Sequence, residues 1–243
     1  MKKKIYAMIP ARIGSTRLKY KNLALINNKP MIYYAINAAK KSKIFDKIII
    51  NSDHNIFKKI AKKYKVDFYQ RPKKLGSSKT KSDEVVVDFM TSFPEASTLV
   101  WINSVSPFQT STEIRNTIKF FYKKKLNSLI TVENKQVHTF YKNKPINFRY
   151  NELFAQTQDM VPVNPFVYSI MMWQRKQFLF EYKKKGYSFF SGKFGVYPVS
   201  KLTSLLIKTE EDLLLADMIM KFIKKNKTNK KISYDNLIRH LDN

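Results

Sequence analysis

The chain has 243 residues, and its 46 Lys and Arg outweigh 18 Asp and Glu, giving a net charge of +28. With 44% hydrophobic residues it can bury a sizeable core, which excludes global disorder, and with no Cys it excludes disulfides and thiolate metal sites. No apolar run reaches the roughly 20 residues of a membrane-spanning helix, and the apolar stretch behind the basic start MKKK is too short for a secretory signal, so the chain reads as cytoplasmic with no membrane partner.

The excess charge is mostly Lys, spread along the chain among Asn, Ile, Tyr and Phe. Runs such as FYKKKL and EYKKKG suit solvated helix ends. No Cys/His finger and no stacking motif of the RNA-recognition type accompanies them. Net charge of this kind speaks for solubility and non-specific binding, so nucleic acid is not the expected partner.

In chain order, Lys4–Ile9 reads as a buried strand. Pro30–Lys41 reads as a helix with Pro in its first turn. DKIIINS is a second strand, Asn55–Tyr64 a basic helix and VDFYQ a short strand. Ser82–Phe93 opens with Ser before two acids, as helix starts do. STLVWINS is a central strand, Ser111–Lys124 a helix and SLITVE a strand. This alternation predicts an α/β fold with a mainly parallel, doubly wound sheet. From about 134 to 165 the rhythm gives way to a stretch rich in aromatics, Asn and Pro, expected to form a small projecting β-rich arm. FVYSIMMW resumes as a strand, Gln174–Lys184 as a helix and GKFGVYPV as an edge strand. TSLLIKT reads as one more strand, placing Leu206 and Lys208 on the same face. Thr209–Lys225 is a helix opened by a Thr-Glu-Glu-Asp capping box. One domain over 1–225 and a polar tail over 226–243 complete the expected organisation.

The stretch IPARIGSTRLKYKNL, Ile9 to Leu23, fits none of these elements. It leaves the carboxyl end of the first strand, where open α/β sheets bind ligands. Gly14 and Ser15 give it a flexible turn whose amides can face an anion, and Arg12, Arg17 and Lys21 add full charges. It matches neither the GxGxxG fingerprint nor the P-loop. Such a loop suits a nucleoside triphosphate.

On these residues the chain resembles the cytidylyltransferases that activate sugar acids, the CMP-sialic acid synthetases and their CMP-Kdo synthetase relatives. Arg12-x-Gly14-Ser15 with Lys21-Asn22 is similar to their first loop. IIINSDH, with its terminal Asp53, RPKKLGSSKTKSDEVV with Arg71 and Ser82, and WINSVSPFQT follow in the family's order. The resemblance implies a nucleotide-diphospho-sugar transferase-like fold. It further implies transfer of CMP from CTP to an acidic 2-keto sugar, release of pyrophosphate, and a homodimer formed through the arm. Arg12, Gly14, Ser15, Arg17, Lys21, Asn22, Arg71 and Ser82 would bind the nucleotide. Asn103, Ser106, Gln109, Gln158 and Asn164 would lie on the acceptor side.

The departures from the family pattern are as specific. The Asp-Ile-Asp-Thr-Glu segment that holds Mg²⁺ in the family reads LLIKTEEDL, so its two acids fall on Leu206 and Lys208. Neither side chain offers the hard oxygen that Mg²⁺ takes, and no metal ligand is expected there. Two explanations follow: Lys208 joins Arg12 and Lys21 as a catalytic candidate, supplying positive charge in place of the ion, or the chain has lost the chemistry and kept the fold as a non-catalytic nucleotide-binding homologue. The family's Gln falls on Asn103 and its Arg on Gln109. Val163-Asn164-Pro165 replaces the Arg-Asn-Gly that meets the sialic acid carboxylate, which favours a different acidic acceptor. Of the three histidines, His54 and His240 read as surface residues, and His138 has no partner that would make it a base.

Overall fold

The computed structural model describes residues 3–225; the expected tail lies outside the described residues. The chain runs through β1 (Ile5–Pro10), a hairpin of β2 (Leu25–Ile26) and β3 (Lys29–Pro30), α1 (Met31–Ser42), β4 (Lys47–Ser52), α2 (Ile56–Tyr64) and β5 (Asp67–Gln70). α3 (Ser82–Ser92), β6 (Thr98–Ile102), α4 (Ser111–Lys123) and β7 (Ser128–Val132) follow. β8 (Phe140–Tyr141) and β9 (Lys144–Pro145) lie in the arm, and β10 (Phe166–Gln174), α5 (Arg175–Lys185), β11 (Phe194–Pro198) and α6 (Glu210–Lys225) close the chain.

Seven strands form one sheet in the order β11-β7-β10-β6-β1-β4-β5. β10 runs antiparallel to both its neighbours, and the other pairings are parallel. Central strands bury both faces. Ala7 and Ile9 of β1 meet Ile32, Ala35 and Ile36 of α1, Phe57 of α2 and Ile114 and Ile118 of α4. Tyr6 and Met8, pointing the other way, meet Val86, Phe89 and Met90 of α3 and Phe178 of α5. This two-sided burial is why the strands read as continuous apolar runs. A third cluster seats α6 through Ala216 against Leu18, Ile26, Met31, Phe108 and Ile207.

β1, β4 and β6 stop side by side, with Pro10 opposite Asn51 and Met8 opposite Trp101. The loops that leave them therefore gather at one edge.

Four features differ from the sequence expectations. Asn27 and Asn28, both at positive φ, make the hairpin turn of β2 and β3, a conformation Asn tolerates. The Pro30 ring occupies the N-cap of α1 and not its first turn. TSLLIKT is not a strand: of its apolar residues only Ile207 is buried, and its N–H bonds a single carbonyl, Val105 O, at 2.8 Å. Strand in the arm is confined to β8, β9 and a Lys135–Val163 bridge. Asn147 replaces a ladder there, its amide donating to Val137 O and Val161 O and accepting from Thr139 N–H.

Candidate active site

A cleft of about 280 Å³ opens at the carboxyl edge of the sheet. The loop after β1, the loop after β6 and the start of α3 form its walls. Arg12, Lys21, Asn22, Arg71, Ser82 and Asn103 line it, so the topology brings together residues up to 91 positions apart in the chain.

The first wall is held by amides. Ala11 N–H bonds Asn51 O at 2.9 Å, fixing the loop to the end of β4. Tyr20 takes the left-handed conformation, φ 51°, and turns the chain into the 3₁₀ turn Lys21–Leu23. Asn22 is only 6% exposed. Its Nδ2 donates to Arg12 O at 3.1 Å, and its Oδ1 accepts from the Ser104 hydroxyl at 2.6 Å. Asn22, expected as a nucleotide ligand, thus first acts as a strut that locks the cationic loop to the loop after β6.

Arg71, 4% exposed, lies beneath the cleft. Its Nη2 meets Asp53 Oδ1 at 3.2 Å and its Nη1 meets Asn51 Oδ1 at 3.4 Å. Burial draws its pKa down and the Asp53 carboxylate opposes that. Gly76 packs against the same carboxylate: a Cβ there would come within 2.5 Å of Asp53 Oδ2. Lys21 is pulled below its ordinary value by burial first, then by Arg17, Arg12 and Lys208, with Asp212 opposing. Four cations thus act on one place.

Other expected residues fall elsewhere. Gly14 is exposed, and a Cβ on it would meet nothing within 4 Å, so no close approach requires glycine there. Ser15 and Arg17 stand on the same loop outside the cleft lining. Ser82 is the first residue of α3 rather than its cap; the cap is Lys81, whose N–H bonds Glu84 Oε1 at 2.8 Å, which leaves Ser82 to line the cleft. Ser106 is buried and its hydroxyl donates to Thr203 O at 2.7 Å, making it part of the wall's support. Gln109 is buried outside the lining, because its side chain turns into the interior. Gln158 lies in the arm, with its carbonyl accepting from Gln136, and Asn164 is exposed beside the Lys135–Val163 bridge. His138 stacks on Phe154 at 4.1 Å.

The sequence reading missed Trp101 and the hydroxyls of Ser77, Ser78 and Thr80, which also line the cleft. The run GSSKTKS, small hydroxylic residues between a glycine and a helix start, carried the signal for the latter.

The segment from 200 to 212 lies outside the cleft lining and packs behind the loop after β6, through Thr203 O to Ser106 and Ile207 N–H to Val105. Glu113 holds its beginning: it accepts from Ser200 N–H at 2.9 Å, from the Thr203 hydroxyl at 2.8 Å and from Thr110 N–H at 3.0 Å. Partial burial pushes the Glu113 carboxyl up, but these donors outweigh it and hold the pKa below the ordinary value.

An open α/β sheet with a cationic, hydroxyl-lined cleft at the carboxyl ends of its central strands is the frame of a nucleotide-binding protein. The family model described as Cytidylyltransferase matches residues 6–229, and the chain belongs to that family. An N-acylneuraminate cytidylyltransferase of Escherichia coli is 35% identical over 121 residues, half of this chain and 29% of the relative. A Post-translational flagellin modification protein B of Campylobacter coli is 26% identical over 234 residues, 89% of this chain and 95% of the relative. Among solved structures, CMP:2-keto-3-deoxy-manno-octonic acid synthetase complexed with CTP superposes with a TM-score of 0.67 at 14% identity. That match covers 90% of this chain and 99% of the other, and shows a shared fold. The chain spans about half or less of the N-acylneuraminate cytidylyltransferases it matches.

Proposed function

We propose that this protein transfers CMP from CTP to an acidic sugar. The acceptor's anomeric hydroxyl attacks the α-phosphorus, the bond to the β-phosphate oxygen breaks, pyrophosphate leaves and the hydroxyl proton is released. Such chemistry rests on positioning and on neutralising phosphoryl charge. The observation that carries the reading is the convergence of Arg12, Lys21, Arg71 and Ser82 on one cleft at the edge where this fold binds ligands. Arg12, Arg17 and Lys21 take the triphosphate, with the amides at Gly14 and Ser15 beside them. Arg71 and Ser82 face the nucleoside, and Asn103 faces the acceptor.

The arm supports a homodimer. Phe154 is 81% and Tyr150 73% exposed, apolar surface that a second copy would cover. Among the described residues no helix is long and apolar enough to cross a membrane, and the reaction is assigned to the cytoplasm, where CTP is made.

The test is thermal unfolding with and without CTP. CTP should raise the midpoint, and Arg12→Ala or Lys21→Ala should weaken CTP by about 10- to 100-fold, the loss of one or two charge-assisted contacts. An unchanged shift in both variants removes the loop from the site. Pyrophosphate release against eight- and nine-carbon keto acids then separates the enzyme from a second reading. The loss of both family acids at Leu206 and Lys208 favours that second reading, a homologue that binds nucleotide without turning it over.

A further inference from the structure

We infer, resting on the reading that CTP occupies the cleft, that Lys208 supplies at the triphosphate the charge the family pattern assigns to a protein-held divalent ion, and that Asp212 is the positioning residue that sets Lys208 there. The donor set carries the first half. The two positions that should hold the ion offer a hydrocarbon, Leu206, and an ammonium, Lys208. Among the described residues, no three His, Asp or Glu side chains converge in a metal-holding group. Glu210 and Glu211 are exposed on the first turn of α6, where the helix dipole alone favours acids.

Asp212 is the one nearby acid whose use is visible, and it is used on backbone. Its Oδ2 accepts the Lys208 N–H at 2.8 Å and the Thr209 N–H at 2.9 Å, while Thr209 Oγ1 accepts the Asp212 N–H at 3.2 Å. These donors hold its pKa below the ordinary value against the upward push of partial burial. A carboxylate engaged with two adjacent amides is aimed along the chain, not at a shared ion. What it fixes is the backbone that presents Lys208.

That backbone borders the cleft. One residue earlier, fully buried Ile207 donates its N–H to the carbonyl of Val105, which lines the cleft. Lys208 is close enough to Lys21 to lower its proton affinity, in company with Arg12 and Arg17. Four cations set against one carboxylate repel each other until an anion arrives, and a triphosphate is the anion the cleft accommodates. An ammonium carries half the charge of a divalent ion and has no octahedral order. CTP binding should therefore depend little on any metal beyond the one the nucleotide carries.

The experiment is calorimetric titration of the full chain with CTP and with CMP, each in EDTA and in excess Mg²⁺. Wild-type protein should bind CTP nearly as well in EDTA as in Mg²⁺. Lys208→Ala should lose about tenfold in CTP affinity in EDTA, one charge-assisted contact, and Lys208→Arg should keep it. CMP lacks the β- and γ-phosphates, so its affinity should be equal in Lys208→Ala and wild type; a merely structural lysine would move both ligands together. Asp212→Ala should reproduce the CTP-selective loss, and Asp212→Asn, which still offers an acceptor oxygen, should restore it. Equal CTP affinity in Lys208→Ala and wild type overturns the inference while leaving CTP binding in place. So does a second, protein-held Mn²⁺ per bound CTP seen by electron paramagnetic resonance. Absence of CTP binding by the wild type overturns the proposed function, and this inference with it.

Discussion

The wall of the cleft beside β1 and the segment that packs behind the loop after β6 are each organised by one carboxylate, and the two carboxylates do opposite things. On the wall formed by the β1 loop and its neighbours, Asp53 pairs with buried Arg71, so the acid holds a charged group at the cleft. On the segment from 200 to 212, Glu113 gathers backbone amides and a hydroxyl and holds no charge at all. Glu113 and Asp212 shape the 200–212 segment through neutral donors, backbone amides and hydroxyls, where Asp53 holds a guanidinium.

If that contrast holds, removing each carboxylate should fail differently. Asp53→Ala leaves Arg71 buried and without its ion partner, and should cost about 3–5 kcal/mol in denaturant unfolding, with loss of the CTP response. A cost below 1 kcal/mol would show that the pair is solvated and that this wall is not organised by charge.

Glu113→Gln should cost less, about 2 kcal/mol, because neutral hydrogen bonds and a cap are lost and no charge is stranded. The cost should depend on pH. The folded pKa of Glu113 is depressed, so its contribution is complete above the ordinary carboxylate value and is lost as pH falls through the folded value. The stability gap between wild type and Glu113→Gln should close on acidification; a gap that stays constant would assign the effect to packing.

The smallest effect is a gain. Leu206→Asp with Lys208→Asp places two acids at the positions the resemblance gives to the ion's ligands, on a segment whose backbone is already held. CTP affinity should then rise about tenfold on adding Mg²⁺, where wild type changes little. No Mg²⁺ response in the double variant would mean that the 205–208 segment, which is not a strand, presents its side chains differently from the family.

Most of the sheet was legible because its strands are buried on both faces and read as apolar runs, and the cationic loop was legible because nothing in a core explains it. What escaped depended on partners distant in sequence. The run Leu205-Leu206-Ile207 looks like a strand, but Leu205 N–H closes a local turn on Leu202 O and Ile207 bonds Val105, about a hundred residues away. Asn22 reads equally well as a ligand or a strut, and only the position of Ser104, 82 residues on, decides that its amide is engaged internally. Ser82 reads as a cap until the helix is seen to begin one residue earlier than that reading needs. Gln109, expected on the acceptor side from the resemblance, is buried away from the cleft lining, since a motif carries no information about which way a turn points its side chains.

The neck of the arm has a consequence for how the chain can change length. Glu133 N–H bonds Pro165 O at 3.1 Å, and Lys135 and Val163 exchange both their backbone bonds at 2.9 Å. The two ends of the excursion are thus clamped together before its contents begin. Loop closure costs grow only as the logarithm of loop length, so residues can be inserted or deleted between 136 and 162 with little thermodynamic penalty on the sheet. The arm is a cassette: its sequence can drift to suit whatever it touches, while the clamp returns the chain to β7 with Phe166 opposite Val132, ahead of the register shift that leads into the main β7–β10 ladder.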